Sequence, residues 1–364
     1  MKKNNQKVYL FGFLRIKHSS TRCFLKKYDK SKIFFINPIF SSHYKAAIKK
    51  GLDKDSVIFI WGKKEFPEVE NYAKNNRINI IRVEDGFIRS IGLGSNFTRP
   101  YSLIFDDIGI YFDSTRPSRL EKILNNHYFD DELLTEADSL HQDIISNKIT
   151  KYNSAAHVEF NVFTDKIKIF IPGQAEGDAS IKYGGGDIAT NLGLVKTVRE
   201  NNPEAYIIFK PHPDVSSGNR VGKIDEQVAM KYCDKIIDNI SIASILQCVD
   251  EVHTITSLVG FEGLLYGKRV VTYGMPFYAG WGLTVDHRIE SRRIRKLKLK
   301  ELIAGAYILY PKYIHPETLE YCHPSTLIKL LTRQKNDLEN SFFYKLGFRR
   351  IYLLSTLLKM VYKD

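Results

Sequence analysis

Three carboxylates lie in one glycine-rich turn. The segment "IPGQAEGDASIKYGGGD", residues 171–187, sets Glu176, Asp178 and Asp187 among five glycines, directly after an apolar run. Glycine at a strand end lets the backbone fold closely around a ligand. A second cluster, "YIIFKPHPD" at 206–214, brings Lys210, His212 and Asp214 to the C-terminal end of an apolar strand, where open α/β sheets bind ligands. Two prolines stiffen that turn, and a Lys beside a His makes a phosphate clamp; a rigid polar turn is the plain alternative. In "HTITSLVGFEGLLYGKRVVTYG", residues 253–274, Ser257 suits the N-cap of a helix whose first N–H groups can hold a phosphate, and Glu262 lies in its N-terminal half. An ordinary capped helix is the simpler reading there.

Other groups are less specific. "VEDGFIRSIGLGS", residues 83–95, offers Glu84 and Asp85 as a general acid or base, with Arg89 following, or else a charged loop at a sheet edge. Arg116 and Arg119 in "DSTRPSRLE" are anion clamps or solvated charges at a helix start. Tyr278 and Trp281 in "GMPFYAGWGLTVDHR" either stack on a base or sugar or pack internally. "RRIRKLKLK", residues 292–300, reads as a surface helix or a contact for an acidic membrane. No Walker A loop, HExxH, GxSxG or zinc-finger spacing occurs.

The elements that must position these residues alternate along the chain. "KVYLFGFL", "KIFFIN", "SVIFIWG" and "INIIRVED" are predicted strands, with helices at "TRCFLKKY", "HYKAAIKKG" and "FPEVENYAKNN" between them. Their apolar runs are continuous, as in parallel sheets covered on both faces. A polar helical stretch at about 118–150 is a plausible bridge. Alternation then resumes with strands at "KIKIFIPG", "AYIIFKPHP", "KIID", "EVHTI" and "RVVTYG", and helices near 188–201, 225–232, 241–249 and 258–267. The expectation is an α/β chain of GT-B-like organisation, two Rossmann-like domains (1–150 and 151–325) facing a central cleft, followed by a tail at 326–364. Sugar-nucleotide 2-epimerases share that arrangement.

The chain has 364 residues, enough for two cores, and carries a formal charge of +13. Such a balance favours an anionic partner: nucleic acid, phosphosugar, nucleotide or acidic lipid surface. Cys23, Cys233, Cys248 and Cys322 form no CxxC pair, which suits reduced thiols and a cytoplasmic protein. The basic then apolar N-terminus reads as a first strand rather than a signal peptide. No run reaches the roughly 18 apolar residues of a membrane span. The tail "SFFYKLGFRRIYLLSTLLKMVYKD", residues 341–364, is either an interfacial basic amphipathic helix or a final packing helix.

Several long strings resemble the capsule polysaccharide β-Kdo transferases of the KpsC/LipA type: "EDGFIRSIGLGS", "PYSLIFDDIGIYFDSTRPSRLE", "IPGQAEGDASI", "IFKPHPDVSSGNR", "EVHTITSLVGFEGLLYGKRVVTYGMPFYAGWGLT" and "ILYPKYIHPETLE". They run in order over roughly residues 80–320. Family members often fuse two modules; this chain resembles one, the C-terminal β-(2→7) type. The resemblance implies CMP-Kdo as donor, retention of configuration by double displacement, and Asp178 as nucleophile, with Glu176 ranked lower. It explains an acid in a basic chain, because the substrate itself carries a phosphate and a carboxylate. Small neighbours, Gly177, Ala179 and Ser180, would admit a crowded tertiary carbon. Similarity of the EDG and HP strings to bacterial sialyltransferases implies Glu84 or Asp85 as acid/base, and Lys210, His212 and Ser257 at the donor phosphate. Gln174, Ser180 and Glu262 complete the expected donor set, and Arg89, Arg116 and Arg119 the acceptor or anion set. The expected partner is a Kdo-bearing or lipid-linked glycan, at the inner-membrane surface if lipid-linked. No nucleic acid, metal or tightly bound cofactor is expected. Alternatives are another CMP- or UDP-sugar enzyme on the same fold, sialyltransferase-like or 2-epimerase-like, and a non-catalytic assembly factor.

Overall fold

A computed structural model describes residues 4–91, 98–151, 159–218 and 220–340. Its strands, in chain order, are β1 (Val8–Phe11), β2 (Ile33–Ile36), β3 (Val57–Trp61), β4 (Ile80–Asp85), β5 (Ser102–Asp106), β6 (Lys168–Pro172), β7 (Tyr206–Lys210), β8 (Lys235–Ile236), β9 (Glu251–Thr254), β10 (Arg269–Thr272), β11 (Val285–Asp286) and β12 (Pro311–Tyr313). They form two six-stranded sheets, ordered β12-β5-β4-β3-β1-β2 and β11-β10-β9-β6-β7-β8. Among the described residues the chain accordingly divides into two compact units, one of those up to Ile110 and from Tyr307 onward together with Lys151, the other of Tyr111–Thr150 and those from 159 to Ala306.

In the first unit, β1 shows why the apolar runs are unbroken. Val8 and Leu10 face a cluster with Phe24, Leu25, Phe59 and Val83, while Tyr9 and Phe11 face another with Ile36, Ala47, Ile58 and Val69. Both faces are covered, so no position along the strand is polar. β1 to β4 are parallel. β5 returns antiparallel to β4, pairing Ile104 with Glu84 and Leu103 with Asp85, and β12 is antiparallel to β5. The sheet is therefore mixed. The second unit's sheet is parallel throughout, with β6 central and the ends of β9, β6 and β7 side by side at one edge.

The division differs from the expected boundary near residue 150. The polar stretch after residue 118 forms two helices, Arg119–Asn126 and Asp131–Ser146, and both belong to the second unit. Glu121 accepts from Arg292 at 2.8 Å, Asn125 donates to the Arg292 carbonyl, and His141 bonds the Leu265 carbonyl. The chain then returns to the first unit at Tyr307, ahead of the expected residue 325, because β12 completes that sheet. The helix Pro324–Asn340 follows. The apolar basic segment 341–364 lies outside the described residues. Among those described, no helix is long and apolar enough to cross a membrane.

The expected surface helix at 292–300 is also corrected. Helix begins only at Leu299 and runs to Ile303. Arg292 and Arg293 pair with Glu121, and Arg295 with Glu301; Arg293 is buried, with its guanidinium on the Pro276 and Ala279 carbonyls. Buried acids and carbonyls draw these cations inward instead of leaving them on a solvated face.

Candidate active site

At the end of β6 the glycine-rich turn sorts its carboxylates. Gln174 donates through Nε2 to Thr256 Oγ1 at 3.0 Å and accepts through Oε1 from the Thr256 N–H at 2.9 Å. Its backbone bonds the side chain of Asn191, which also reaches the Gly222 carbonyl. Gln174, expected to bind donor, is thus a buried tie between the β6 and β9 turns. Glu176 accepts from the Asn191 N–H at 2.7 Å, at the start of the helix Asn191–Asn201. Asp187 is exposed.

Asp178 is arranged differently. It caps the short helix Ala179–Gly184, accepting through Oδ1 from the Ser180 N–H and hydroxyl, each at 3.0 Å. Gly177 before it has φ +81°, with no atom near the position a β-carbon would take. A left-handed glycine with open space beside it turns the chain sharply and leaves an approach to the carboxylate. Asp178 Oδ2 accepts from Arg220 Nη1 at 2.8 Å; the two side chains are 40% and 51% exposed. Arg220 is itself held by the neighbouring turn, its N–H donating to the Asp214 carbonyl, while the Val221 carbonyl accepts from Glu176 N–H.

The "KPHPD" turn stands at the adjoining strand end. His212 Nδ1 accepts from the Asp214 N–H at 3.1 Å, capping the turn Pro213–Ser216. In the neutral ring that bond places the proton on Nε2. Lys210 is buried, donating to the Asp238 carbonyl, and burial draws its pKa down against the opposing charge of Asp238. Ser257 caps the helix Leu258–Leu265 through Oγ and takes the Tyr278 hydroxyl on its carbonyl. Gly260 makes this contact feasible, since a β-carbon there would overlap the Tyr278 ring. Glu262 is buried within the helix; burial, with the Glu262 charge added, pushes the Tyr266 phenol up to about 12. The structure therefore places Asp178, His212 and Ser257 as caps of helix starts, with Ser180 in the first turn after Asp178, at one sheet edge, and uses Gln174, Lys210 and Glu262 inside the unit.

The other acid pair ends β4 in the first unit. Asp85 Oδ2 accepts from Arg89 Nε at 2.9 Å and lies 3.5 Å from the Lys17 ammonium, which sits over the Trp61 ring. Burial pushes the Asp85 carboxyl up, but Lys17, Arg89 and Lys151 together outweigh it and hold it below the usual range. Glu84 goes the other way, raised by burial and then by the Asp85 charge. One carboxylate is fixed as an anion and the other is disposed to carry a proton. The anion that Arg89 meets is Asp85: its Nη1 is on Ser90 and Thr98, its Nη2 on the Thr98 carbonyl, and it is fully buried.

The family model described as "Capsule polysaccharide biosynthesis protein" matches residues 56–164 and 145–314. The chain belongs to that family. It is 50% identical over 290 residues to the capsule polysaccharide modification protein LipA of Neisseria meningitidis serogroup B, covering 80% of this chain and 41% of LipA. The lipopolysaccharide-processing protein LpsZ of Rhizobium meliloti is 41% identical over 257 residues, 70% of this chain and 58% of LpsZ. The chain thus spans about two fifths of the LipA relative's length. Among solved structures, the β-Kdo 2,7 transferase of Thermosulfurimonas dismutans KpsC is 37% identical, with TM-score 0.73 over 91% of this chain and 100% of that one. The β-Kdo 2,4 transferase of the same KpsC is 33% identical, with TM-score 0.77 over 90% and 98%. The likeness supports a GT-B-like α/β fold.

The remaining expected residues of this family member stand outside the two acid pairs, although Ser114, close to Arg116 in the chain, donates to the Tyr183 carbonyl in the helix that Asp178 caps. Arg116 is exposed and 3.4 Å from the buried Asp113; Arg119 opens its helix on the surface of the second unit. Tyr278 and Trp281 are fully buried, Trp281 with its indole N–H on the Phe277 carbonyl, so they pack rather than present a stacking face. Arg220 and Lys17 are not singled out by sequence reading. Each completes an ion pair with a carboxylate far away in the chain, and no local pattern marks such a partner.

Proposed function

We propose that this chain is a retaining β-Kdo transferase, moving Kdo from CMP-Kdo to a Kdo-bearing or lipid-linked glycan in capsule or lipopolysaccharide synthesis. The observation that carries the reading is the half-exposed carboxylate of Asp178, oriented by Ser180 at the C-terminal edge of a parallel sheet, with a stiff His-Pro turn at the adjoining strand end. The Kdo transferase modules of KpsC, matched over 100% and 98% of their length, support the sugar and a nucleotide-sugar donor.

In this mechanism Asp178 attacks C2 of the donor sugar. The bond from C2 to the phosphate oxygen breaks, and the electron pair leaves on CMP. An acceptor hydroxyl then bonds to C2 as its proton passes to a base, and the C2–Asp178 bond breaks, returning its pair to the carboxylate. Two inversions leave the configuration retained. CMP phosphate is a weak base and needs no acid to depart, so the proton transfer falls in the second step. Glu84 is the proposed base, since a raised pKa makes a better proton acceptor; burial raises it, and the neighbouring Asp85 anion adds to the shift. His212 is the proposed donor to the CMP phosphate. A peripheral position on the cytoplasmic face of the inner membrane follows if the acceptor is lipid-linked, and the basic charge of the chain suits it.

The test is incubation of the protein with CMP-Kdo, CMP-sialic acid and UDP-GlcNAc, with CMP or UDP release measured and acceptor products analysed for linkage. Release from CMP-Kdo, with a Kdo adduct on the peptide carrying Asp178 after quenching, is expected. Release from another donor instead, or from none, removes the reading.

A further inference from the structure

The Asp178–Arg220 pair poses a problem for the attack. Asp178 Oδ1 is spent on Ser180, and Oδ2, the remaining oxygen, is held by Arg220. Yet the arrangement is not that of a permanent tie. Both side chains are substantially exposed, and among the described residues the recorded bond uses one of the five N–H donors of the guanidinium. The backbone around it is firmly placed by contrast. Arg220 N–H is on Asp214 O, Val221 O is on Glu176 N–H, and Gly222 O is on Asn191. The segment is strapped across the glycine-rich turn while its cation reaches over the carboxylate.

The reaction proposed above, on which this inference rests, asks an anion to attack a carbon that itself bears a carboxylate and a departing phosphate. Without a cation at that point, like charges oppose approach. Arginine is the side chain suited to it, because its planar fork can serve two carboxylates at once and stays protonated. We propose that Arg220 binds the carboxylate of the donor sugar, and that this shift of hydrogen bonds frees Asp178 Oδ2 to attack C2. Asp178 Oδ2, on Arg220 Nη1, holds the position this proposal gives to that substrate carboxylate. Arg220 gives up no proton in either step.

Binding measured in an Asp178→Asn background, where donor is not consumed, separates this role from its rivals. CMP carries the phosphate but not the sugar carboxylate; CMP-Kdo carries both. Adding Arg220→Ala to Asp178→Asn should weaken CMP-Kdo by about 10–100-fold and leave CMP within about twofold. Arg220→Lys should recover part of the loss, because charge returns without the fork. Equal loss for CMP and CMP-Kdo makes Arg220 a phosphate ligand and overturns the proposal. Loss for neither makes it a device for orienting Asp178 and overturns it too. Thermal unfolding checks the fold; an exposed pair should move Tm little. The underlying reading is tested apart, by the wild-type chain: if it turns over CMP-Kdo while Arg220→Ala does so equally well, only the arginine assignment falls. If it neither releases CMP nor forms the Asp178 adduct, both fall.

Discussion

Two carboxylate sites stand at strand ends in the two units, and they are built in opposite ways. Asp85, at the end of β4, is buried among Lys17, Arg89 and Lys151, and its ionised form is held in place from several sides. Asp178, beyond the end of β6, is fixed through one oxygen and faces solvent with an exposed arginine on the other. Enclosure makes a fixed charge that tunes its neighbour Glu84. Exposure on a small-residue turn makes a group that can meet a carbon atom. The contrast is one of access and compensation, since the side chains themselves are the same.

The largest effect should come from breaking the exposed side. Asp178→Asn should reduce transfer by about 10⁴-fold or more, as loss of a covalent catalyst does. Its Tm should stay close to that of the wild type, because asparagine still caps the short helix. Transfer within tenfold of wild type would mean that the nucleophile lies elsewhere.

The enclosed side should divide into two phenotypes. Glu84→Gln should lower transfer to acceptor by about 10²–10⁴-fold, the usual worth of a general base, while the protein still forms the donor adduct. The acidic limb of the wild-type transfer profile should lie above the ordinary carboxylate range and vanish in this variant, because Glu84 accepts a proton only when ionised and its pKa is raised. Adduct formation should lack that limb. Asp85→Ala should instead unfold readily, losing about 3–5 kcal/mol, since Arg89 is left buried without its counter-charge. In the wild type the folded-state pKa of Asp85 lies below its unfolded value, so the unfolded chain takes up more protons on acidification. The stabilisation is complete above the unfolded-state pKa and is lost as pH falls through the folded one. Chemical denaturation of both variants across pH checks this; a stable Asp85→Ala chain with normal Glu84 titration would undo the division of roles.

What the sequence makes legible follows the same physics. β1 to β3, β6 and β7 are visible because burial leaves largely unbroken apolar runs. β5 hides inside "PYSLIFDDIGIYFD", where apolar and acidic residues interleave, and β12 is a three-residue edge strand, too short for any period. The turn around Asp178 is legible through its glycines, and His212 through its prolines. Arg220 is not, because its partner is 42 residues away and "SSGNR" reads as loop. Arg89 and Gln174 illustrate the converse. Their residue types suggest ligand contacts, but only tertiary structure reveals that Asp85 and Thr256 already occupy them. The domain boundary fails for a related reason: the polarity of 118–150 suggests a bridge, whereas Glu121 and Asn125 use that polarity to hold Arg292.

The smallest effect concerns a residue that serves both fold and ligand, and it asks whether the exposed edge binds donor phosphate at all. His212 Nδ1 caps its turn by accepting from Asp214 N–H, so in the neutral ring Nε2 is the nitrogen that can donate. His212→Ala removes both nitrogens and should weaken CMP binding by about 1.5–3 kcal/mol, the worth of a hydrogen bond to a charged group. It should also cost about 1 kcal/mol of stability through the lost cap. His212→Asn separates the two. Its amide oxygen can accept from the Asp214 N–H as Nδ1 does, but nothing in it reaches as far as Nε2. Stability should therefore return while CMP affinity stays low, by calorimetry on the two variants. If His212→Asn binds CMP as tightly as the wild type, the imidazole is a cap alone, and the phosphate must be sought at another group on that edge.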